Sequence, residues 1–237
     1  MEKLVKLGVW SGFGMLTLLL GGCTLFDSPP TVDFSWTPLE PLARSEVRFS
    51  DLSSDSGGLF GGGGIATRLW DFGDGSTSAA ANPKHRYRCE GSYDVTLTVT
   101  DNAGLSASAT KRIEVQPSLH GTWKGTLWDA LNRSFDLELE LYHSSPGSIT
   151  GTAYVNGLAC NIISISFDPV EKKVRITFAY WGTGNTWLLV GDYVAYPGCD
   201  LVKISGYWEN ITLQPGRKIG DWEVRLQLTG VSEADAN

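Results

Sequence analysis

Apolar and polar residues alternate over long stretches of the chain, and this pattern predicts β-strands. Residues 93–100 alternate strictly, with apolar or aromatic side chains at every second position: Tyr93, Val95, Leu97 and Val99. Residues 135–141 do the same, and their polar positions are all acidic: Asp136, Glu138 and Glu140. Successive side chains of a strand point to opposite faces, so each stretch is typical of a strand with one buried face. Few stretches favour a helix, and we predict an all-β protein.

Beyond residue 119, eight stretches of this kind follow one another with short turns between them. They cover residues 121–128, 133–142, 148–155, 159–167, 173–180, 186–194, 201–208 and 221–229. The connecting segments carry hairpin residues such as Pro146-Gly147 and Asn156-Gly157. Eight antiparallel strands in sequence order, each with one apolar face, predict an up-and-down barrel that closes on itself over residues 119–230.

The fourth of these stretches is out of phase with the third. A two-residue turn at Asn156-Gly157 pairs Ala153 with residue 160, and continued alternation would then turn three apolar side chains outward. These side chains are Ile163, Ile165 and Phe167. A β-bulge near residues 159–161 would return them to the core, and we predict one there.

The first half of the chain is organised around residues 70–75, which read Trp-Asp-Phe-Gly-Asp-Gly. Trp70 and Phe72 are two residues apart and share one face of a strand, while Asp74-Gly75 favours a tight turn. Downstream, residues 82–87 read Asn-Pro-Lys-His-Arg-Tyr, and residues 91–101 read Gly-Ser-Tyr-Asp-Val-Thr-Leu-Thr-Val-Thr-Asp. We expect Trp70 in a core and the two aspartates of the motif in a turn.

Together these motifs closely resemble the polycystic-kidney-disease-type (PKD) domain over residues 30–116. The resemblance implies an immunoglobulin-like β-sandwich of the kind found in many bacterial surface proteins. The chain departs from the usual pattern at Glu90, where a proline usually precedes the glycine, and in an early loop lengthened by glycines between residues 57 and 64.

The N-terminus predicts an exported protein. Lys3 and Lys6 precede a mostly apolar stretch over residues 7–20, which is too short for a confident membrane span and is typical of a secretory signal. Residues 20–23, Leu-Gly-Gly-Cys, resemble the bacterial lipobox. The resemblance implies a signal peptide over residues 1–22, lipid on Cys23, a tether over residues 23–29 and, in a bacterium with two membranes, the outer membrane. The alternative is an ordinary signal peptide or anchor in which the cysteine occurs by chance.

The predicted lipidation also decides what we expect of the other three cysteines. With Cys23 lipidated, we predict a disulfide between Cys160 and Cys199, because an exported protein permits oxidation. Cys89 is then left as a small residue within the sandwich. The alternative is that all three remaining thiols are free.

The net charge of the 237-residue chain is −7, and the basic residues form no cluster. This argues against nucleic acid as a partner.

The start of the second half, Gly121-Thr122-Trp123, weakly resembles lipocalin- and avidin-type barrels, which implies an apolar ligand inside the barrel. Here the predicted inward faces are bulky, and they favour a filled core over a cavity.

No motif in the chain predicts catalysis, a metal site or a cofactor. The three histidines, His85, His120 and His143, have no spacing typical of a catalytic triad or a zinc site. The acidic positions 136, 138 and 140 allow a general-acid pair, but a solvated strand face is the favoured interpretation. Calcium near the aspartate-rich loops is a further alternative, and the aspartates concerned are Asp51, Asp55, Asp71 and Asp74.

These observations predict a non-catalytic binding, adhesion or structural module anchored in the cell envelope, with a protein or polysaccharide partner. The candidate ligand contacts are aromatic residues of the second half: Trp181, Trp187, Tyr193, Tyr196 and Tyr207. One alternative is a carrier of a small apolar ligand inside the barrel, and another is a hydrolase with an unrecognised site.

Overall fold

The computed structural model describes residues 28–57, 63–179, 184–196, 199, 202–213 and 215–227. The predicted signal peptide, Cys23 and Trp181 lie outside these ranges. No helix within them combines the length and the apolar character needed to cross a membrane.

The first domain is a sandwich of two antiparallel sheets. Its strands are β1 (Phe34–Thr37), β2 (Val47–Asp51), β3 (Ile65–Asp71), β4 (Thr77–Ser78), β5 (Lys84–His85), β6 (Gly91–Asp101) and β7 (Ser106–Val115). One sheet has the order β1-β2-β5 and the other the order β4-β3-β6-β7. Trp70 is fully buried between them, and its indole N–H donates to the carbonyl of Ala80 at 3.0 Å. The prediction that Trp70 belongs to the core is confirmed.

The second domain is a closed barrel of eight antiparallel strands. They are β8 (Gly121–Asp129), β9 (Ser134–Ser145), β10 (Ser148–Val155), β11 (Leu158–Asp168), β12 (Lys173–Ala179), β13 (Thr186–Ala195), β14 (Val202–Asn210) and β15 (Lys218–Gln227). Neighbours in sequence are neighbours in space, and β15 pairs with β8 to close the ring. The predicted up-and-down barrel is confirmed. Because the strands alternate in direction, the connections lie alternately at two ends of the barrel, and the end where β8 begins faces the sandwich.

Side chains fill the inside of the barrel. Those of Trp123, Leu139, Ile176 and Trp222 are almost completely shielded from solvent, and all belong to one buried cluster. The cluster also contains Leu119, Leu127, Leu137, Leu141, Ala153, Cys160, Val174, Phe178, Leu189, Tyr193, Val202, Ile204, Trp208, Val224 and Leu226. The prediction that bulky inward faces make a filled core is confirmed.

The bulge in β11 lies further along the strand than predicted. The pairing of β11 with β12 shifts between Ile162 and Ser164. Cys160 lies inside before the shift, and Ile165 and Phe167 pack on the core after it. Ile163 stays 56 % exposed, so the predicted position at residues 159–161 and the predicted burial of Ile163 are wrong. The phase changes only after Ile162, which packs on the core together with Cys160 before the shift.

The predicted disulfide is also wrong. Cys199 is bonded to Cys89, 110 residues earlier, with a Cα–Cα distance of 5.6 Å, and Cys160 is a buried free thiol. Cys160 lies near the start of β11, at the end of the barrel away from the sandwich. Cys199 lies in the β13–β14 connection at the opposite end. The length of the barrel therefore separates the two cysteines that we expected to pair.

Candidate binding surface

The candidate aromatic contacts divide between core and surface. Tyr193 is only 3 % exposed, and Trp187 packs on the core with its ring 4.9 Å from that of Trp208. Their assignment as exposed contacts is wrong, because both lie on the inward face of β13. Tyr196 and Tyr207 are each 40 % exposed and remain candidate contacts.

The outer face of β8, β9 and β10 carries polar and aromatic side chains in regular rows. Lys124, Glu138 and Tyr154 lie side by side on the three strands. In the next row Thr122, Glu140 and Thr152 lie side by side, and Tyr142 pairs with Thr150 beyond it. We call the outward side chains of these strands the tyrosine–carboxylate face: Thr122, Lys124, Thr126, Asp136, Glu138, Glu140, Tyr142, Thr150, Thr152 and Tyr154.

A groove of about 560 Å³ opens on this face. Its lining consists of Lys124, Gly125, Asp136, Leu137, Glu138, Glu140, Tyr154 and Gly157. The Lys124 ammonium contacts Glu138 at 3.1 Å, whereas neither Asp136 nor Glu140 forms an ion pair with another described residue. Two carboxylates in the groove are therefore free to accept hydrogen bonds from a ligand.

Sequence reasoning did not single out Tyr142 and Tyr154 as contacts. Tyr142 is 58 % exposed and continues the outward positions of β9, while Tyr154 is half-buried opposite Glu138. The alternation of β9 already places Tyr142 with the carboxylates. The position of Tyr154 beside Glu138 depends on the register between β9 and β10, which a single sequence does not state.

A serine, a histidine and an aspartate meet in the turn after β3, but they are not arranged for catalysis. The Nε2 atom of His85 lies 2.7 Å from Asp74 Oδ2 and 3.4 Å from Ser76 Oγ. In a catalytic triad the aspartate and the serine use opposite ring nitrogens. Here both use the same nitrogen, and the ring of Phe72 stacks on His85 at 4.2 Å. The group stabilises the turn.

The hydrogen bonds of this turn also lower the pKa of Asp74. Burial alone would raise the pKa of Asp74, but hydrogen bonds from His85, from the Ser76 hydroxyl and from the Ser76 backbone outweigh it and lower that pKa to about 2. The carboxylate is thus ionised at neutral pH and holds both partners.

The other predicted alternatives involve groups that have structural partners. The loop aspartates accept bonds from nearby groups: Asp51 from Arg68, Asp55 from Gly57 and Gly64, and Asp71 from Gly73. His143 is 7 % exposed, accepts a bond from the backbone N–H of Leu119 and has a pKa lowered by burial. Across the part of the chain that the structure describes, no three His, Cys, Asp or Glu side chains are grouped so as to hold a metal ion.

Comparison with known proteins identifies the family of the first domain. Residues 28–116 match the family described as PKD domain, and they form a PKD domain at the N-terminal side of the barrel. The resemblance inferred from residues 70–101 is therefore confirmed.

The curated relatives are longer enzymes, and this chain spans only a small part of the length of each. A microbial collagenase of Vibrio alginolyticus is 53 % identical over 53 residues, which are 22 % of this chain and 6 % of the relative. Collagenase ColQ1 of Bacillus cereus is 31 % identical over 175 residues, or 70 % of this chain and 16 % of the relative. The similarity lies in PKD and accessory domains of such enzymes, which is consistent with a non-catalytic part.

Among solved structures, the PKD1 domain of the Vibrio cholerae metalloprotease PrtV is similar to this chain. It is 41 % identical, and the match covers 37 % of this chain and 98 % of that domain with a TM-score of 0.32.

Proposed function

We propose that this chain is a non-catalytic, lipid-anchored module of the bacterial cell envelope that binds glycan through the tyrosine–carboxylate face. The observation that carries the proposal is the position of the groove. The barrel is filled by its own side chains, whereas its outer wall offers an open groove beside two tyrosines and two unpaired carboxylates. A ligand therefore has more to contact on the outside of this barrel than within it.

The chemistry of the face suits a sugar. Sugar rings present apolar C–H surfaces that pack on aromatic rings, and hydroxyl groups that donate to carboxylates. Tyr154 stands next to Glu138, and the two unpaired carboxylates, Asp136 and Glu140, line the same groove, so one ring and two free acceptors are available to a ligand. The threonine hydroxyls of the neighbouring rows add donors and acceptors.

The packed interior argues against the alternative of an apolar-ligand carrier. Trp123 and Trp222 occupy the inside of the barrel together with Leu139 and Ile176. A ligand-sized space of several hundred Å³ would require these side chains to leave the core. An outer-wall site needs no such change.

Glycan binding is tested by a glycan array followed by titration calorimetry with the best-binding oligosaccharide. Tyr154→Ala should weaken binding at least about tenfold, equivalent to ~1.4 kcal/mol, because the ring that packs on the sugar is lost. Glu140→Gln should weaken it by a smaller factor, since one charged acceptor becomes neutral.

Tyr207→Ala distinguishes the tyrosine–carboxylate face from a contact that was expected from the sequence, because Tyr207 is an exposed tyrosine on β14, four strands from β10 around the ring. It should leave the affinity unchanged. An array without any bound glycan, or equal losses for Tyr154→Ala and Tyr207→Ala, would contradict glycan binding at this face.

A further inference from the structure

Two adjacent residues of the PKD domain, Cys89 and Glu90, both reach the barrel. Cys89 is bonded to Cys199 in the β13–β14 connection. One residue later, the Glu90 carboxylate contacts Lys172 Nζ at 3.0 Å with one oxygen and accepts from the Tyr193 hydroxyl at 3.0 Å with the other. Residues 89–90 therefore bond to two neighbouring connections of the barrel and to β13.

Lys172 and Tyr193, which contact Glu90, are themselves held in place by other contacts. The backbone N–H of Tyr193 donates to the Lys172 carbonyl at 2.8 Å, and the Lys172 ammonium lies 5.7 Å from the centre of the Tyr193 ring. Tyr193 is almost completely buried. A hydrogen bond that a buried hydroxyl makes to a carboxylate is stronger than one exposed to water, so this contact resists separation of the domains.

The polypeptide link between the domains is fixed as well. Ser118 and Leu119 are buried, and the Arg44 guanidinium of the sandwich donates to the Ser118 carbonyl at 2.8 Å. On the barrel side, the Leu119 N–H donates to His143, and the Leu119 carbonyl accepts from the indole of Trp123 at 2.8 Å. The link therefore has partners in both domains and differs from a solvated, flexible linker.

We infer that the sandwich and the barrel form one rigid arm, in which residues 89–90 are the docking site. The domains are connected covalently at two separate places, the link at residues 116–121 and the Cys89–Cys199 bond. A body attached at one point can swivel, whereas a second attachment beside an ion pair removes that freedom. The tyrosine–carboxylate face is consequently held in one orientation relative to the PKD domain.

Rigidity is measured by single-molecule energy transfer on the full chain in detergent. One dye is placed at Ala103 and one at Leu131 by replacing each with p-acetylphenylalanine. Both positions are exposed, in turns at the ends of the two domains that lie away from the docking site. The native chain should give one narrow distance distribution, and Cys89→Ser combined with Glu90→Ala should give a broad one.

Two single substitutions test the same inference if the double variant does not fold. Lys172→Ala removes the cation that Glu90 contacts, and it should broaden the distribution when the disulfide is reduced. Lys173→Ala is the control, because the neighbouring Lys173 pairs with Asp192 within the barrel. A broad distribution in the native chain, or a Lys172→Ala chain that stays as narrow as its control after reduction, would overturn the rigid arm.

Discussion

Asp74 shows how a single side chain can serve both a turn and the stability of a domain. Asp74 belongs to the motif at residues 70–75 that the PKD family shares. Its carboxylate accepts hydrogen bonds from His85 and Ser76. The low pKa of this group means that the folded state prefers the ionised form. A residue recognised from a sequence motif therefore has a measurable electrostatic role.

The first prediction concerns acid stability. The pKa of Asp74 is about 2 when folded and near its ordinary value of 3.8 when unfolded, so its contribution is complete above pH 4 and is lost as the pH falls from about 4 to about 2. Asp74→Asn should lower the free energy of unfolding by about 1–2 kcal/mol at pH 7, and the difference from the native chain should shrink toward pH 2.

Urea unfolding at pH 7, 4 and 2.5 measures this difference, with Asp71→Asn as the control. Asp71 lies in the same turn, but among the described residues its side chain accepts a hydrogen bond only from the Gly73 backbone. A difference between Asp74→Asn and the native chain that stays constant across the three pH values would show that the charge of Asp74 does not contribute.

At the scale of elements, strands β13, β14 and β15 approach one another closely at two glycines. Gly191 pairs with Gly206, and the Trp222 indole lies against them, donating to the carbonyls of Val190 and Tyr207 at 3.1 Å each. A Cβ on Gly206 would lie 2.0 Å from the Val190 carbonyl oxygen. The inward glycine at position 206 thus gives room for the backbone of β13. Gly191 gives room for the aromatic ring, because a Cβ there would lie 2.6 Å from the Trp222 side chain.

The second prediction follows from this contact. Gly206→Ala should destabilise the barrel by more than about 2 kcal/mol, because β14 must shift away from β13 to admit the methyl group. Thermal unfolding followed by tryptophan fluorescence measures it. Ser205→Ala, one residue earlier and outward-facing, should stay within about 0.5 kcal/mol of the native chain; an equal effect of the two changes would contradict the close approach.

At the scale of the whole molecule, the rigid arm and the proposed anchor act together. An N-terminal lipid would hold the chain at a membrane surface, and the docked barrel would present its outer wall at a set angle to the PKD domain. Glycan binding and rigidity are separate properties, since the first depends on Tyr154 and the second on residues 89–90.

The third prediction tests the anchor, which rests on the sequence of residues 20–23. Cys23→Ser should move the protein from the membrane fraction to the soluble fraction, because acyl chains supply the membrane affinity. Fractionation and mass measurement of the N-terminal peptide decide it. A native chain without added acyl mass on Cys23 would exclude the anchor. Cys160→Ser, which changes a buried thiol, is the control.

The candidate binding surface was only partly predictable. The alternation of β9 predicts Asp136, Glu138 and Glu140 on one solvated face. In the structure these three residues lie on the outer face of the barrel. The prediction that Tyr193 is exposed is wrong, and the alternation of β13 could not show this. Residues 187–190 are all apolar, so both faces of β13 carry apolar side chains and the sequence does not say which face a barrel turns inward. Tyr154 joined the carboxylates only through the pairing of β10 with β9.

By itself, the sequence determined the strands, the sandwich with its buried Trp70 and the closed barrel, because alternation and turn residues act between near neighbours along the chain. Only the tertiary structure decided the partner of Cys199, the position of the bulge in β11 and the role of Glu90. Each of these depends on groups from distant parts of the chain, such as Cys89 and Cys199 at a separation of 110 residues. Local patterns carry no information on such contacts, since it is the packing of one domain on the other that brings them together.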